Sequence, residues 1–146
     1  MMKKFSLILI SLLFLSMNNY AAEVKFSSAL IKTPRPGLNI TSGFFTLLSD
    51  HDLLIKSIQA DLIGRIEIHT MAMKKTADGL EIMQMRKMES PKISKGVPFV
   101  LRPGSDHLML YEVNSQISST KKITLKFTFE SNTGDLLTQN VVFDIN

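Results

Sequence analysis

The sequence predicts an all-β protein, a sandwich or barrel of about eight or nine short strands that follows an export signal. Apolar and β-branched runs recur along residues 24–145, and none of them carries the sustained 3.6-residue stripe of an amphipathic helix. Turn-forming residues separate most of these runs, at positions 34–37, 50–52, 77–79, 103–104 and 132–134.

The predicted strands can be justified in order along the chain. Residues 24–32 alternate in part between apolar and polar side chains, and residues 40–48 are rich in Thr, Phe and Leu. Seven further runs follow, at residues 53–58, 62–73, 80–88, 99–102, 108–113, 123–129 and 136–145. Because residues 23–146 have a length that suits one domain, we expect a single domain there, and the sequence has no internal repeat.

Residues 1–22 predict a secretory signal peptide. Lys3 and Lys4 give the segment a positive start, residues 5–15 form an apolar run, and two alanines end it. The apolar run is too short for a comfortable transmembrane span, so an uncleaved membrane anchor is the less favoured alternative. We therefore expect export, most simply to a bacterial periplasm, with no membrane contact after the signal is cleaved.

The composition argues against several classes of protein. Lys3 and Lys4 supply half of the formal charge of +4, and no basic run exceeds two residues, so we expect no nucleic-acid partner. No nucleophile–base motif, phosphate-binding loop or zinc-hydrolase spacing occurs, so we expect no enzyme and no catalytic residues. The sequence has no cysteine, the residue needed for disulfides, for bacterial lipoprotein lipidation and for a blue-copper site. We expect a monomer.

Histidine and methionine are concentrated in one part of the chain. Two of the three histidines and six of the nine methionines lie between residues 69 and 109. Three clusters contain most of them: His69, Met71 and Met73; Met83 and Met85; His107 and Met109. Imidazole nitrogen with thioether sulfur is a soft ligand set that favours Cu(I) over zinc, calcium or magnesium. The clusters therefore predict a copper site.

Strand periodicity places the members of each cluster on one face. Side chains at i and i+2 of a strand point to the same side, so His69 and Met71 face away from Ile68. The same alternation separates His107 and Met109 from the leucines beside them. A strand that buries its aliphatic face would present its His and Met side chains outward, where a metal could be held near the surface.

Each cluster taken alone also fits a simpler interpretation. Methionine is a flexible filler of protein cores, and we expect Met73 and Met88 to be packing residues. His51 lies in an acidic loop between Asp50 and Asp52, and a solvated turn explains it best. A metal-free exported β-sandwich that binds other proteins is therefore an alternative. The conjunction of three clusters, a common parity and an export signal favours the metal site.

The spacing of these residues resembles a known family. Between Met85 and His107 lie 21 residues, and His107-Leu108-Met109 follows as His-x-Met. This resembles the signature of the PCuAC-type periplasmic copper chaperones: a His, ten residues, a Met, 21 residues and His-x-Met. The gap between His69 and Met85 has 15 residues here, which a longer hairpin through residues 74–79 would accommodate.

The resemblance implies a cupredoxin-like β-sandwich and a periplasmic Cu(I)-binding metallochaperone. Its Cu(I) ligands would be His69, Met85, His107 and Met109, with Met71 and Met83 as substitutes. It also implies copper delivery for assembly of the binuclear copper centre of cytochrome c oxidase. The partners would be the copper subunit of that oxidase and a Sco-type thioredoxin-like protein. A periplasmic copper storage or resistance protein is the alternative.

Overall fold

A computed structural model describes residues 21–146 of the chain. The predicted signal peptide covers residues 1–22, so all but its last two residues lie outside the described part. Within residues 21–146 no helix is long and apolar enough to cross a membrane.

Ten strands and one 3₁₀ helix make up the regular structure of these residues. The strands are β1 (Val24–Ile31), β2 (Thr41–Ser49), β3 (Leu53–Gln59), β4 (Ile63–Lys75), β5 (Glu81–Lys87), β6 (Lys92–Ile93), β7 (Phe99–Leu101), β8 (His107–Val113), β9 (Lys122–Ser131) and β10 (Leu136–Ile145), and the 3₁₀ helix is Ser115–Ser119.

The predicted all-β class is confirmed, with one strand more than expected. All nine predicted runs form strands whose ends differ from the prediction by no more than about two residues. Strand β6 was missed because two residues after Pro91 are too short to show a period. The 3₁₀ helix was also missed. Its N-terminus depends on Asn114, whose side chain accepts a hydrogen bond from the amide of Gln116 at 2.9 Å.

The strands form one continuous sheet that folds over to make two layers. Its order is β5-β4-β8-β2-β1-β10-β9-β3-β6, with β7 pairing to β2. All neighbours are antiparallel except β1 and β10, which pair in parallel over two residue pairs near their ends. A β-bulge in β1 lies between Ser27 and Leu30, and Ser28 there has a φ of 52°. The bulge bends β1 so that it pairs with β2 in one layer and β10 in the other.

Phenylalanine rings join the two layers. Phe45 of β2 lies 5.4 Å from the ring of Phe127 on β9 and 6.1 Å from the ring of Phe143 on β10, both edge to face. All three side chains have no exposed surface. Edge-to-face pairs at this distance add to the free energy of burial. The cluster therefore holds the β2 layer against the β9–β10 layer.

Truncating the central ring should destabilise the whole fold. Phe127→Ala is expected to lower the free energy of unfolding by about 3–5 kcal/mol, because it leaves a cavity between the layers. Val142→Ala is the control, since Val142 is 55% exposed on β10 beside Phe143 and should change stability by no more than about 0.5 kcal/mol. Urea unfolding followed by circular dichroism measures both, and equal losses would contradict the position of the core.

Candidate metal centre

Three adjacent strands bring the His and Met clusters to one face of the sheet. Strand β4 lies between β5 and β8, and its pairing with β8 places His69 directly opposite His107. Its pairing with β5 places Met71 directly opposite Met85. Met109 lies two residues along β8 from His107 and therefore on the same face. Residues that are up to 40 positions apart in sequence thus become neighbours.

The aliphatic residues between them turn the other way, as the sequence predicted. Ile68 is 4% exposed, and Leu108 and Leu110 are fully buried. His69, Met71, His107 and Met109, which alternate with them, are all partly exposed. Burial of the aliphatic face therefore fixes the outward direction of the His and Met face.

His69 is held by a carboxylate on its own strand. Its Nε2 lies 2.8 Å from Oε2 of Glu67, and both side chains are only 13% exposed. The hydrogen bond from His69 lowers the pKa of Glu67, and the positive charges of Arg65 and Lys87 act in the same direction. An ionised carboxylate can only accept, so the proton of the neutral ring lies on Nε2. Nδ1 of His69 then carries a free lone pair.

That lone pair has no partner within the protein. Nδ1 of His69 is buried, and among the side-chain nitrogen and oxygen atoms of residues 21–146 it is the buried one that makes no hydrogen bond. Such an atom is unfavourable unless something binds it. The ring centroid of His107 lies 6.0 Å from that of His69. A ligand between the two strands would therefore satisfy an acceptor that the fold leaves open.

The protein holds His107 through Nδ1, whereas it holds His69 through Nε2. Its Nδ1 donates a hydrogen bond to the main-chain oxygen of Ser105 at 2.9 Å, which leaves Nε2 unprotonated in the neutral ring. Ser105 belongs to the turn that precedes β8, and this turn is tied to β4 because Thr70 Oγ1 donates to Asp106 Oδ1 at 2.7 Å. Each imidazole thus has one nitrogen fixed by the protein and one free, as is usual for metal-binding histidines.

The thioethers lie around the histidines at different depths. Met85, His107 and Met109 line one surface groove, together with Pro103 and Gly104 of the turn before β8. Met109 is partly buried and Met85 is 52% exposed on the edge strand β5. The groove is therefore lined by the imidazole of His107 and by two thioethers, whereas His69 lies beside it and does not line it.

This set of donors suits a soft metal. In the described part of the chain, no three His, Asp or Glu side chains come together in a way that could hold a metal ion. A metal at this face would therefore need methionine sulfur in addition to the two imidazoles. Thioethers bind Cu(I) well and bind zinc or calcium poorly.

The remaining predicted residues lie elsewhere. Met88 packs against the core, as expected. The packing interpretation of Met73 is wrong, since this side chain is 59% exposed. His51 lies in the turn after β2, where its Nδ1 is 2.6 Å from Asp50 Oδ1, and that hydrogen bond lowers the pKa of Asp50. His51 therefore stays a turn residue and takes no part in the site.

Two groups that form hydrogen bonds with the histidines were not identified from the sequence. Glu67 was visible on the His69 face, and its spacing of two residues from His69 could have identified it as the hydrogen-bond partner. The carbonyl oxygen of Ser105 left no signal, because any residue type supplies a main-chain oxygen. The fold around the site therefore contributes contacts that side-chain patterns do not show.

The hydrogen bonds predict two different tautomers in the metal-free protein. At neutral pH the proton of His69 should lie on Nε2, because Glu67 accepts it, and that of His107 on Nδ1, because Ser105 accepts it. Long-range ¹H–¹⁵N correlation spectra of the two rings measure this directly. His107 protonated on Nε2, or the same tautomer in both rings, would contradict the arrangement.

Three solved structures have the same fold. The copper-bound PCuAC domain from PmoF2 superposes with a TM-score of 0.61 at 11% identity, covering 87% of this chain and 97% of that one. The apo PCuAC domain from PmoF1 gives 0.57 at 14% identity, covering 84% and 94%. Apo-DR1885 from Deinococcus radiodurans gives 0.52 at 18% identity, covering 100% and 97%. The expected cupredoxin-like sandwich of the PCuAC type is thus confirmed as a fold.

The sequence itself also has relatives. "Uncharacterized protein RP573" of Rickettsia prowazekii (strain Madrid E) is 28% identical over an alignment of 119 residues, with 75% of this chain covered. The chain spans 63% of the length of that relative. The family model "Putative lipoprotein LpqE-like" matches residues 24–141, and the chain therefore belongs to the LpqE-like family.

Proposed function

We propose that this protein is a periplasmic metallochaperone that binds one Cu(I) ion between β4 and β8 and carries it to an acceptor protein. The observation that supports this most strongly is the buried, unpartnered Nδ1 of His69 beside His107. The ligands we assign are His69, Met85, His107 and Met109. One structural neighbour with this fold is a copper-bound domain, which adds support.

The hydrogen bonds favour a particular mode of binding. His69 would bind through Nδ1 and His107 through Nε2, because the other nitrogen of each ring is engaged by Glu67 or by Ser105. These contacts hold the rings before the metal arrives, so binding requires little reordering of side chains. The two thioethers carry neither charge nor proton. The thioethers therefore add no charge of their own when a Cu(I) ion binds.

The choice among the methionines of β4 and β5 rests on position. Met85 lines the same groove as His107 and Met109, which supports it as a ligand. Met83 belongs to the next cross-strand pair toward the hairpin tip, opposite Met73. Met71 is directly opposite Met85 and is the nearer substitute. We therefore keep Met85 as the fourth ligand.

Exposure of the outer ligand supports delivery over permanent retention. Met85 is 52% exposed on an edge strand, so the ligands of an acceptor could approach the metal from that side. Stepwise exchange of ligands needs neither an enzyme nor a nucleotide. As recipient we propose the copper subunit of cytochrome c oxidase, with a Sco-type protein as partner. The description of the family as lipoproteins supports export, the compartment in which such a transfer would occur.

Substitution of the proposed ligands should weaken copper binding without unfolding the protein. Anaerobic Cu(I) titration against a competing chelator should show that His107→Ala and Met109→Leu each weaken Cu(I) binding at this site by at least about tenfold. X-ray absorption of the copper bound at this site should contain both Cu–N and Cu–S scattering.

Met88→Leu is the matched control for the titration, because Met88 packs against the core outside the site and volume-conserving exchange is tolerated. It should bind copper like the unaltered protein. A shell of nitrogen and oxygen only would contradict the assignment. Absence of Cu(I) binding would favour the metal-free interaction domain.

Delivery can be tested in cells separately from binding. Deletion of the gene should lower cytochrome c oxidase activity when copper is scarce, and added copper should restore it. The unaltered gene should complement the deletion, and the His107→Ala gene should not. Normal oxidase activity together with greater sensitivity to copper would contradict delivery and favour the storage alternative.

A further inference from the structure

The β4–β5 hairpin carries a row of methionines that continues beyond the site already described. Met71 lies opposite Met85, and Met73 lies opposite Met83 in the next pair. All four face the same side as His69, because they are spaced by two residues along each strand. We call this set of four side chains the methionine ladder.

Packing does not account for the outer end of the ladder. Met73 is 59% exposed and Met83 is 64% exposed. Every residue of β5 is exposed, and β4 beyond His69 pairs with β5 alone. Met88, which does pack, lies just past the end of β5. Within the described chain, the outer pair of thioethers therefore lies on a face that no other strand covers.

The geometry allows three sulfur atoms to meet. Directly opposite residues of an antiparallel pair have Cβ atoms about 4.5–5.5 Å apart, and residues two positions along a strand are about 6.6 Å apart. Methionine has three rotatable side-chain bonds and adapts to irregular spaces. Met71, Met73 and Met83 can therefore direct their thioethers to one point above the hairpin.

The charges around the ladder favour a soft monovalent ion over a hard one. At the tip, Lys75 Nζ and Glu81 Oε1 form an ion pair 3.9 Å apart on the same face. At the inner end, Lys87 lies opposite His69. The acidic side chain on this stretch of the face is thus already paired with a lysine. Uncharged thioethers with no free carboxylate beside them select Cu(I) and reject magnesium, calcium and zinc.

We propose that Met71, Met73 and Met83 form a second Cu(I) site, made of thioethers alone, on the outer half of the β4–β5 hairpin. Its destination, though not its existence, rests on the proposed function: Met85, which lies opposite Met71 and lines the groove of His107, passes the ion inward. Each step replaces one Cu–S bond by another or by a Cu–N bond. Copper stays Cu(I), so no electron is gained or lost and no co-reactant is needed.

The two sites should differ in strength and in surroundings. The thioether site has three neutral ligands and large exposure, so it should bind more weakly than the site with two imidazoles. This order suits uptake, because an ion captured at the exposed tip moves toward the tighter ligands. The second equivalent of Cu(I) in a titration should therefore be the weaker one.

The test is an anaerobic Cu(I) titration of the protein and of paired variants against a competing chelator. The unaltered protein should bind two equivalents, and Met73→Leu/Met83→Leu should lose the weaker one while keeping the tighter one. Leucine matches methionine in volume and these positions are exposed, so the fold should persist. Met88→Leu, the matched control, should retain both equivalents.

A reciprocal variant separates this proposal from the proposed function. His69→Ala/His107→Ala should retain one equivalent, with sulfur as its main scatterer in X-ray absorption. Should that variant fold poorly, Ag(I) titration of the unaltered protein replaces it, with shifts expected in the methyl resonances of Met71, Met73 and Met83. The second site would be overturned if Met73→Leu/Met83→Leu still bound two equivalents of Cu(I). It would also be overturned if the methyl resonances of Met73 and Met83 did not shift with Ag(I).

Discussion

The alignment of β4 against β8 is the constraint on which the rest of the site depends. The register that places His69 opposite His107 is the same register that buries Ile68 and Leu108. A slip by one residue would turn the imidazoles into the core and the aliphatic side chains into water. The free energy of burying those side chains therefore keeps the two histidines together. The phenylalanine cluster centred on Phe127 stabilises this register from the other side of the core.

The proposed ligands fall into two groups that differ in how firmly the protein holds them. The imidazoles are partly buried and fixed, one by Glu67 and the other by the Ser105 carbonyl. The thioethers of β5 lie on an exposed edge strand. In the proposed chaperone, the fixed nitrogen donors would contribute affinity because they lose little entropy on binding, and the exposed sulfur donors could be replaced one at a time by those of another protein. Tight binding and release would thus depend on different strands.

The sequence was sufficient to predict what depends on short-range periodicity. Alternation in β4 and β8 predicted which side chains face outward, and His69, Met71, His107 and Met109 do so. It could not predict the order of strands, because pairing between residues about 40 positions apart depends on packing of the whole chain. It also misjudged Met73. Parity predicts the face of the sheet to which a side chain points. The exposure of that side chain also depends on the strands that pair alongside, and β8, which begins at His107, does not extend to Met73.

The outer half of the β4–β5 hairpin is exposed because β4 extends beyond its pairing with β8. β4 runs on to Lys75, whereas its pairing with β8 ends at the His69–His107 pair, so the outer half of β4 has β5 as its one partner in the described chain. Exposed edge strands with apolar side chains favour aggregation, and proteins limit this with charge. Here Glu81, Arg86 and Lys87 lie on the edge strand itself. These charges let the chain keep thioethers in water, an arrangement that packing alone would not favour.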